Sequence, residues 1–295
     1  MEKINAPTPI AILMATYNGE KYIKEQIDSL LEQTCKDWTL YIHDDGSKDH
    51  TRQILQQYAH QYHNIIVLDY ESQKGAMRNF FSLLQRVEAQ YYMFCDQDDV
   101  WIKEKVAVSI EKMKETEKQH HGKPVIVFTD LVVTGKALNI ISPSFWQVIS
   151  LYPEFVTDFD HIAATTAVTG CAMIFNQPAK DAIVFPATKA TMHDAWITAC
   201  VLKKGGYIQP VWQQMVLYRQ HEANCVGATD LNHITLMYRI RNFKEMQRKN
   251  WQLYQMLRSL GYGSIVKFFR YKIKYKNFII SKRANNERFN HHCQL

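Results

Sequence analysis

No stretch of this sequence approaches the ~18 consecutive apolar residues that a membrane-spanning helix requires, so nothing in it predicts a membrane span. The opening segment Met1-Glu2-Lys3-Ile4-Asn5-Ala6-Pro7 lacks the apolar core of a secretory signal. Paired cysteines are missing too: Cys35, Cys95, Cys171, Cys200, Cys225 and Cys293 are scattered, with no Cys-x-x-Cys. That spacing argues against a zinc site or a disulfide framework and suits a reducing compartment. Internal repeats and low-complexity tracts are also absent. These absences predict a soluble or peripheral protein of the cytoplasm.

What is present is a globular composition with an uneven charge. Hydrophobic residues make up 46% and charged ones 22%, enough for a proper core, and 295 residues leave room for one large domain or a domain with an appendage. Residues 1–230 hold 21 Lys/Arg against 27 Asp/Glu, whereas 231–295 hold 14 against 2. The net +6 is therefore a basic tail on a mildly acidic body, a split that predicts different partners for the two parts.

The first hundred residues alternate between two periods. Ile10–Ala15 is a short apolar run of the kind a buried parallel strand has, and Ile23, Ile27, Leu30 and Leu31 mark one face of the helix after it. Further strands are expected at Trp38–Ile42, Ile65–Leu68 and Tyr91–Cys95, with helices carrying Ile54, Leu55 and Tyr58, and Phe80, Phe81, Leu84 and Val87. Alternation of this kind predicts an α/β fold, a mostly parallel sheet flanked by helices. From 100 to 230 the pattern is less regular. A helix from Lys103 to Glu117 leads to a strand at Val125–Thr129, a loop with Pro143, Trp146 and Pro153, and a strand at Gly170–Phe175. A helix from His193 to Lys204 then stops at Gly205-Gly206.

Polar residues fall where the strands end. Thr16-Tyr17-Asn18, Asp44-Asp45 and Asp96-Gln97-Asp98-Asp99 each follow an expected strand, and open parallel sheets bind ligands at the carboxyl ends of their strands. Two carboxylates one residue apart at such an end suit a hard divalent cation, which would offset charge on a departing diphosphate. Taken singly, the Asp cluster reads equally as an acidic turn capping the helix after Val100. Three clusters at one edge favour the cation. Asp44-Asp45-Gly46-Ser47 suits either a turn or contact with a base or ribose. Gly75 opens a helix with Arg78 one turn in, an arrangement fit for an anion or simply for solvent. Asp194 lies at a helix start, where a carboxylate is stabilised with or without a role as proton acceptor, and His221 reads as a metal ligand or a loop histidine.

Taken in order, Met14-Ala15-Thr16-Tyr17-Asn18, Asp44-Asp45-Gly46-Ser47, Gly75-x-x-Arg78-Asn79-Phe80, Asp96-x-Asp98-Asp99, Gly170-Cys171 and His193-Asp194 resemble the family 2 glycosyltransferases of GT-A fold, over about residues 8–227. Phe94-Cys95-Asp96-Gln97-Asp98-Asp99-Val100-Trp101, with Tyr218-Arg219-Gln220-His221, looks most like the bacterial rhamnosyltransferase branch. The resemblance implies a GT-A (Rossmann-like) catalytic domain over 1–230, its nucleotide-sugar half at about 8–130 and its acceptor half at about 131–230. Thr16, Tyr17, Asn18 and Asp45 would meet the nucleotide with Asp44 nearby, Gly75 and Arg78 would lie by the base and diphosphate, and Asp96 would touch the ribose. Asp98, Asp99 and His221 would hold Mg²⁺ or Mn²⁺. Asp194 matches the catalytic base of an inverting displacement, and Gly170, Cys171, His193 and Trp101 fall on the acceptor side. The chain departs from the family pattern at Gln73-Lys74, where an Asn often precedes Gly75, and at His193, where Glu is commoner.

The implied reaction is transfer of a sugar, foremost L-rhamnose from dTDP-rhamnose, onto a polysaccharide or lipid-linked glycan of the bacterial surface. A hexose from a UDP-sugar is the alternative within the class. A nucleotidyltransferase would gather similar carboxylates but release pyrophosphate, and a carbohydrate-binding scaffold would be indifferent to loss of Asp194. In the tail, 231–295, Trp251, Tyr254, Leu257, Ile265, Phe268, Phe269, Ile273 and Phe278 interleave with Lys and Arg. That mix predicts a basic amphipathic helical extension, either lying on an anionic membrane at the inner face of the plasma membrane or packed on the domain with a solvated face. No nucleic-acid-binding module accompanies the charge, so nucleic acid is not an expected partner.

Overall fold

The computed structural model describes residues 3–221 and 243–284, and the expected domain boundary near 230 lies outside them. A two-stranded ribbon of β1 (Ile4–Asn5) and β5 (Val87–Glu88) sits apart from the main sheet. The main sheet runs β4-β3-β2-β6-β10-β8-β11-β7, with β9 on β8. Its first half is β4 (Ile65–Val67), β3 (Trp38–Asp44), β2 (Ile10–Thr16) and β6 (Tyr91–Cys95), all parallel. The connecting helices α1 (Ile23–Leu31), α2 (Thr51–Gln61) and α3 (Ala76–Arg86) cover it. β3 is buried along its whole length, which is why these strands read as near-continuous apolar runs rather than alternating ones. Register places Thr16 beside Asp44 and Met14 beside Cys95. The ends of β2, β3 and β6 therefore meet at one edge, as the sequence predicted.

The second half of the sheet is mixed. It holds β8 (Val125–Thr134), reached through α4 (Lys105–Gln119), with β9 (Ile140–Ser142), β10 (Met173–Asn176), β11 (Tyr207–Arg219) and β7 (Val100–Trp101). The chain leaves β8 at the carboxyl edge and passes through β9, α5 (Phe145–Val148) and short 3₁₀ turns before re-entering as β10, antiparallel to both β6 and β8. That excursion roofs the edge. α6 (Gln177–Asp181) and α7 (His193–Lys203) follow.

Three local expectations change. Gly170–Ala172 is a 3₁₀ turn rather than strand, because the Gly170 N–H goes to the Asp194 carboxylate at 3.0 Å and not to a ladder. Val100–Trp101 forms β7 and helix α4 begins only at Lys105, so the Asp cluster does not cap a helix. β11 runs thirteen residues without a clear alternating pattern in its sequence, since register shifts between Val211 and Leu217 disturb its period of two.

The tail helices Phe243–Ser259 and Ile265–Ala284 pack on the body. Tyr254, Met256, Leu257, Leu260 and Phe268 are buried in the same cluster as Phe80, Phe94 and Trp196. Each fully buried side chain of this size contributes about 1.5–3 kcal/mol, so the basic extension helps hold the catalytic body together. No helix among the described residues is long and apolar enough to cross a membrane.

Candidate functional site

A cavity of about 810 Å³ opens at the carboxyl edge. From the parallel half come Thr16, Tyr17, Asp45, Gly75, Asp96, Gln97 and Asp98, and from the other side Gly170, His193 and Asp194. The roof adds Phe145, Ile149, Thr166 and Val168. Segments distant in sequence thus meet around one space.

The Asp44-Asp45 pair is saturated by the protein itself. Asp44 accepts from the Thr16 hydroxyl at 3.0 Å, the Ser47 N–H at 2.8 Å and Arg52 Nε at 3.0 Å. It is buried and builds the turn, as the plainer reading of the sequence allowed. Asp45 accepts from the N–H groups of Gln73 (2.6 Å), Lys74 (3.1 Å) and Gly75 (2.7 Å) and from the Ser72 hydroxyl (2.7 Å). Burial pushes its carboxyl up, but those four donors outweigh it and hold it below the usual range. Lys74 at φ +56° and Gly75 at φ +125° give this loop the left-handed backbone that aims successive N–H groups at one anion. Asn18 binds Lys48 N–H and Ser47 across the neighbouring loop and does not line the cavity.

The second acidic cluster is built the opposite way. Burial first, then the Asp98 and Asp194 carboxylates, push Asp96 up to about 7. Asp99 is fully buried, and burial with Asp96 beside it drives its carboxyl well above the usual range. Its Oδ1 accepts the Arg219 N–H at 3.1 Å, while Oδ2 finds no hydrogen-bond partner among the described residues. Ligand atoms of Asp96, Asp99 and Cys171 lie within 4.8 Å of one another. Asp98 faces the cavity, with its Oδ2 2.7 Å from His221 Nε2. A cluster of carboxylates with an imidazole against one of them suits a hard divalent cation. The residues fit the metal that the fold implies.

Asp194 sits in the first turn of α7, and its two oxygens accept the N–H groups of Gly170 (3.0 Å) and Ala195 (2.6 Å). A Cβ on Gly170 would stand 2.6 Å from His193 Nε2, so glycine is required for this approach. His193 packs against Phe80 and Phe94, and burial lowers its pKa and keeps the ring neutral. The short Gly170-Cys171 and His193-Asp194 signatures are two halves of one contact.

Several expected site residues stand elsewhere. Trp101 is a core residue on β7, its ring facing the buried Lys105 ammonium at 4.3 Å, and takes no part in an acceptor wall. Arg78 is exposed on α3 and does not line the cavity, and Lys74 is the Lys or Arg that does so among the described residues. Cys171 is buried behind Asp96, and burial raises its thiol pKa. Arg219 carries a structural role that sequence reasoning missed. It is almost fully buried, donates through Nε to the Asp98 carbonyl at 2.8 Å, pairs with Glu25 and lies over Tyr22 at 4.5 Å. That fixes the Asp98-Asp99 loop from the far strand. The only signal was its place inside Tyr218-Arg219-Gln220-His221.

Comparison with known proteins agrees with this geometry. A dTDP-rhamnosyl transferase, RfbG, of Shigella flexneri is 30% identical over 228 residues, 73% of this chain and 74% of the relative. The Escherichia coli UDP-Glc:alpha-D-GlcNAc-diphosphoundecaprenol beta-1,3-glucosyltransferase WfgD is 31% identical over 104 residues, 35% of this chain and 40% of that one. The mannosyltransferase PcManGT from Pyrobaculum calidifontis, solved with GDP-Man and Mn²⁺, superposes with a TM-score of 0.55 at 14% identity, over 92% of this chain and 70% of that one. The last likeness is one of fold, the GT-A arrangement. Residues 11–182 match the model of the glycosyl transferase family 2, and the chain belongs to that family.

Proposed function

We propose that this glycosyltransferase moves a hexosyl group with inversion from a nucleoside diphosphate sugar, foremost L-rhamnose from dTDP-rhamnose, onto a polysaccharide or lipid-linked glycan. The observation that carries the reading is the convergence of Asp96, Asp98 and Asp194 on one cavity beside the loop of Asp45 and Gly75. Asp194 accepts the proton of the acceptor hydroxyl as its oxygen bonds to the anomeric carbon. The bond from that carbon to the diphosphate oxygen breaks, and the nucleoside diphosphate leaves. N–H groups of Gly170 and Ala195 hold the Asp194 carboxylate in place. Thr16, Tyr17 and the Asp45 loop receive the nucleotide, Lys74 faces the diphosphate, and Asp96 takes the ribose. Asp98 and His221 would hold Mg²⁺ or Mn²⁺, which when bound supplies neutralisation of the leaving diphosphate.

Two observations favour a 6-deoxy sugar. The Shigella relative is named for dTDP-rhamnose, and Phe80, Phe145, Ile149, Val168 and Met192 give the cavity an apolar wall suited to a methyl group. A thermal-shift panel of dTDP-rhamnose, UDP-glucose, UDP-GlcNAc and GDP-mannose, each with Mn²⁺, tests this. The largest rise is expected with dTDP-rhamnose. A preference for UDP-glucose would move the donor to the UDP-hexoses, and no shift with any nucleotide-sugar would overturn the reading.

A further inference from the structure

The helix Ile265–Ala284 carries two apolar faces. Phe268 and Tyr275 are buried against the body. Val266 (74% exposed), Phe269 (39%), Ile273 (59%) and Ile280 (55%) are not. At about 100° per residue these four fall within an arc of roughly 60°, on the side of the helix away from the buried pair. Exposed large apolar side chains concentrate here, with Met246 and Trp251 exposed on the preceding helix.

Charge identifies the occupant. The helix contains seven Lys/Arg and no Asp or Glu. Lys267 and Lys282 pair with Asp160 and Glu154 of the body, and Lys272 donates to the Ala164 carbonyl. Arg270, Lys274 and Lys276 are exposed and pair with no carboxylate among the described residues. By the same angular count Arg270 and Lys274 flank the apolar stripe on one side and Lys276 on the other. A second copy apposing the same stripe would bring like charges together, and solvent alone leaves the stripe wet. An anionic bilayer satisfies both, receiving the apolar stripe and pairing the cations with its headgroups.

We infer that the outer stripe of Ile265–Ala284, Val266-Phe269-Ile273-Ile280 with Arg270, Lys274 and Lys276, docks the protein on an anionic lipid surface. This differs from a free amphipathic tail, because Tyr254, Leu257 and Phe268 belong to the core and are not available to lipid. The same helix braces the roof of the cavity. The Tyr275 hydroxyl accepts from the Tyr152 N–H at 3.0 Å and donates to the Ser150 carbonyl at 3.1 Å, and Arg283 donates to the Ser150 hydroxyl at 2.7 Å. Docking therefore sets the roof residue Ile149 next to a segment held at the membrane. The inference does not depend on which sugar is transferred.

The test is co-sedimentation of the full chain with vesicles of phosphatidylcholine and phosphatidylglycerol at 3:1, against phosphatidylcholine alone. The native protein should bind the anionic vesicles and bind the neutral ones at least about tenfold more weakly. The triple variant Val266→Ser, Phe269→Ser, Ile273→Ser should lose about tenfold or more while its melting temperature is kept, since all three side chains are exposed. A second variant, Arg270→Glu, Lys274→Glu, Lys276→Glu, should lose anionic binding without changing the stripe. Ile140→Ser with Ile141→Ser, exposed on β9, should bind like the native chain. Absence of native binding, or native-like binding by either triple variant, would overturn the inference. So would a dimer in light scattering that the stripe variant turns into a monomer.

Discussion

The two acidic pairs at the carboxyl edge are alike in sequence and opposite in physics. Asp44 and Asp45 are filled by the protein's own donors, and four of them hold Asp45 below the usual carboxylate range. Burial drives Asp96 and Asp99 up, with Asp98 and Asp194 adding to the rise of Asp96 and Asp96 to that of Asp99, and Asp99 Oδ2 is left without a partner among the described residues. A carboxylate already bonded organises a loop, whereas the carboxylates of Asp96 and Asp98 line the cavity and face a ligand there. Strand-end position alone does not distinguish the two cases. Hydrogen-bond partners do.

The contrast is sharpened most by removing the charges that act on substrate. Asp194→Asn should lower turnover by roughly 10²–10⁴-fold with nucleotide-sugar affinity unchanged by calorimetry; equal loss of affinity would make Asp194 a binding residue. Asp98→Asn should lower turnover about a hundredfold or more and abolish the thermal shift produced by Mn²⁺. If that shift survives, the cation sits elsewhere. Gly170→Ala forces a Cβ against His193 and displaces the N–H that holds Asp194, so turnover should fall about tenfold with a lower melting temperature.

The two pairs also differ in their response to pH. Asp96 titrates at about 7 when folded, against an ordinary 3.8. Between those values the folded chain holds a proton that the unfolded chain has lost, so metal-free stability falls as pH rises from about 4 to about 7. Melting curves without metal should therefore drop by a few degrees over that range, and Mn²⁺ should restore stability at pH 8 but not at pH 5. The smallest effect is expected at the saturated pair. Asp45→Asn should weaken nucleotide-sugar binding by about tenfold or less, through loosening of the Ser72–Gly75 loop, and leave the Mn²⁺ response intact.

The parallel half of the fold was legible because each buried strand is an apolar run ending in a polar cluster, and the register of β2, β3 and β6 then brought those clusters together. Asp194 and Gly170 were legible as short signatures, though not their hydrogen bond. The roof from Phe145 to Val168 was not, since it follows neither period and its apolar residues gain meaning only when the chain folds back as β10. Trp101 was misplaced because adjacency to the Asp cluster in sequence does not fix the side of the sheet a residue faces. Arg219 was missed because its partners, Asp98, Asp99 and Glu25, are reached only through β11, a strand whose irregular register hid its pattern. In the tail, apolar residues at similar spacing divide between core and surface, a distinction that only packing decides.

Phosphorus NMR of the protein incubated with dTDP-rhamnose, Mn²⁺ and a glycan acceptor reads the transfer itself. The native chain should accumulate dTDP, and Asp194→Asn should form none. Release of pyrophosphate, or dTDP formation that Asp194→Asn leaves unchanged, would contradict the proposed transfer.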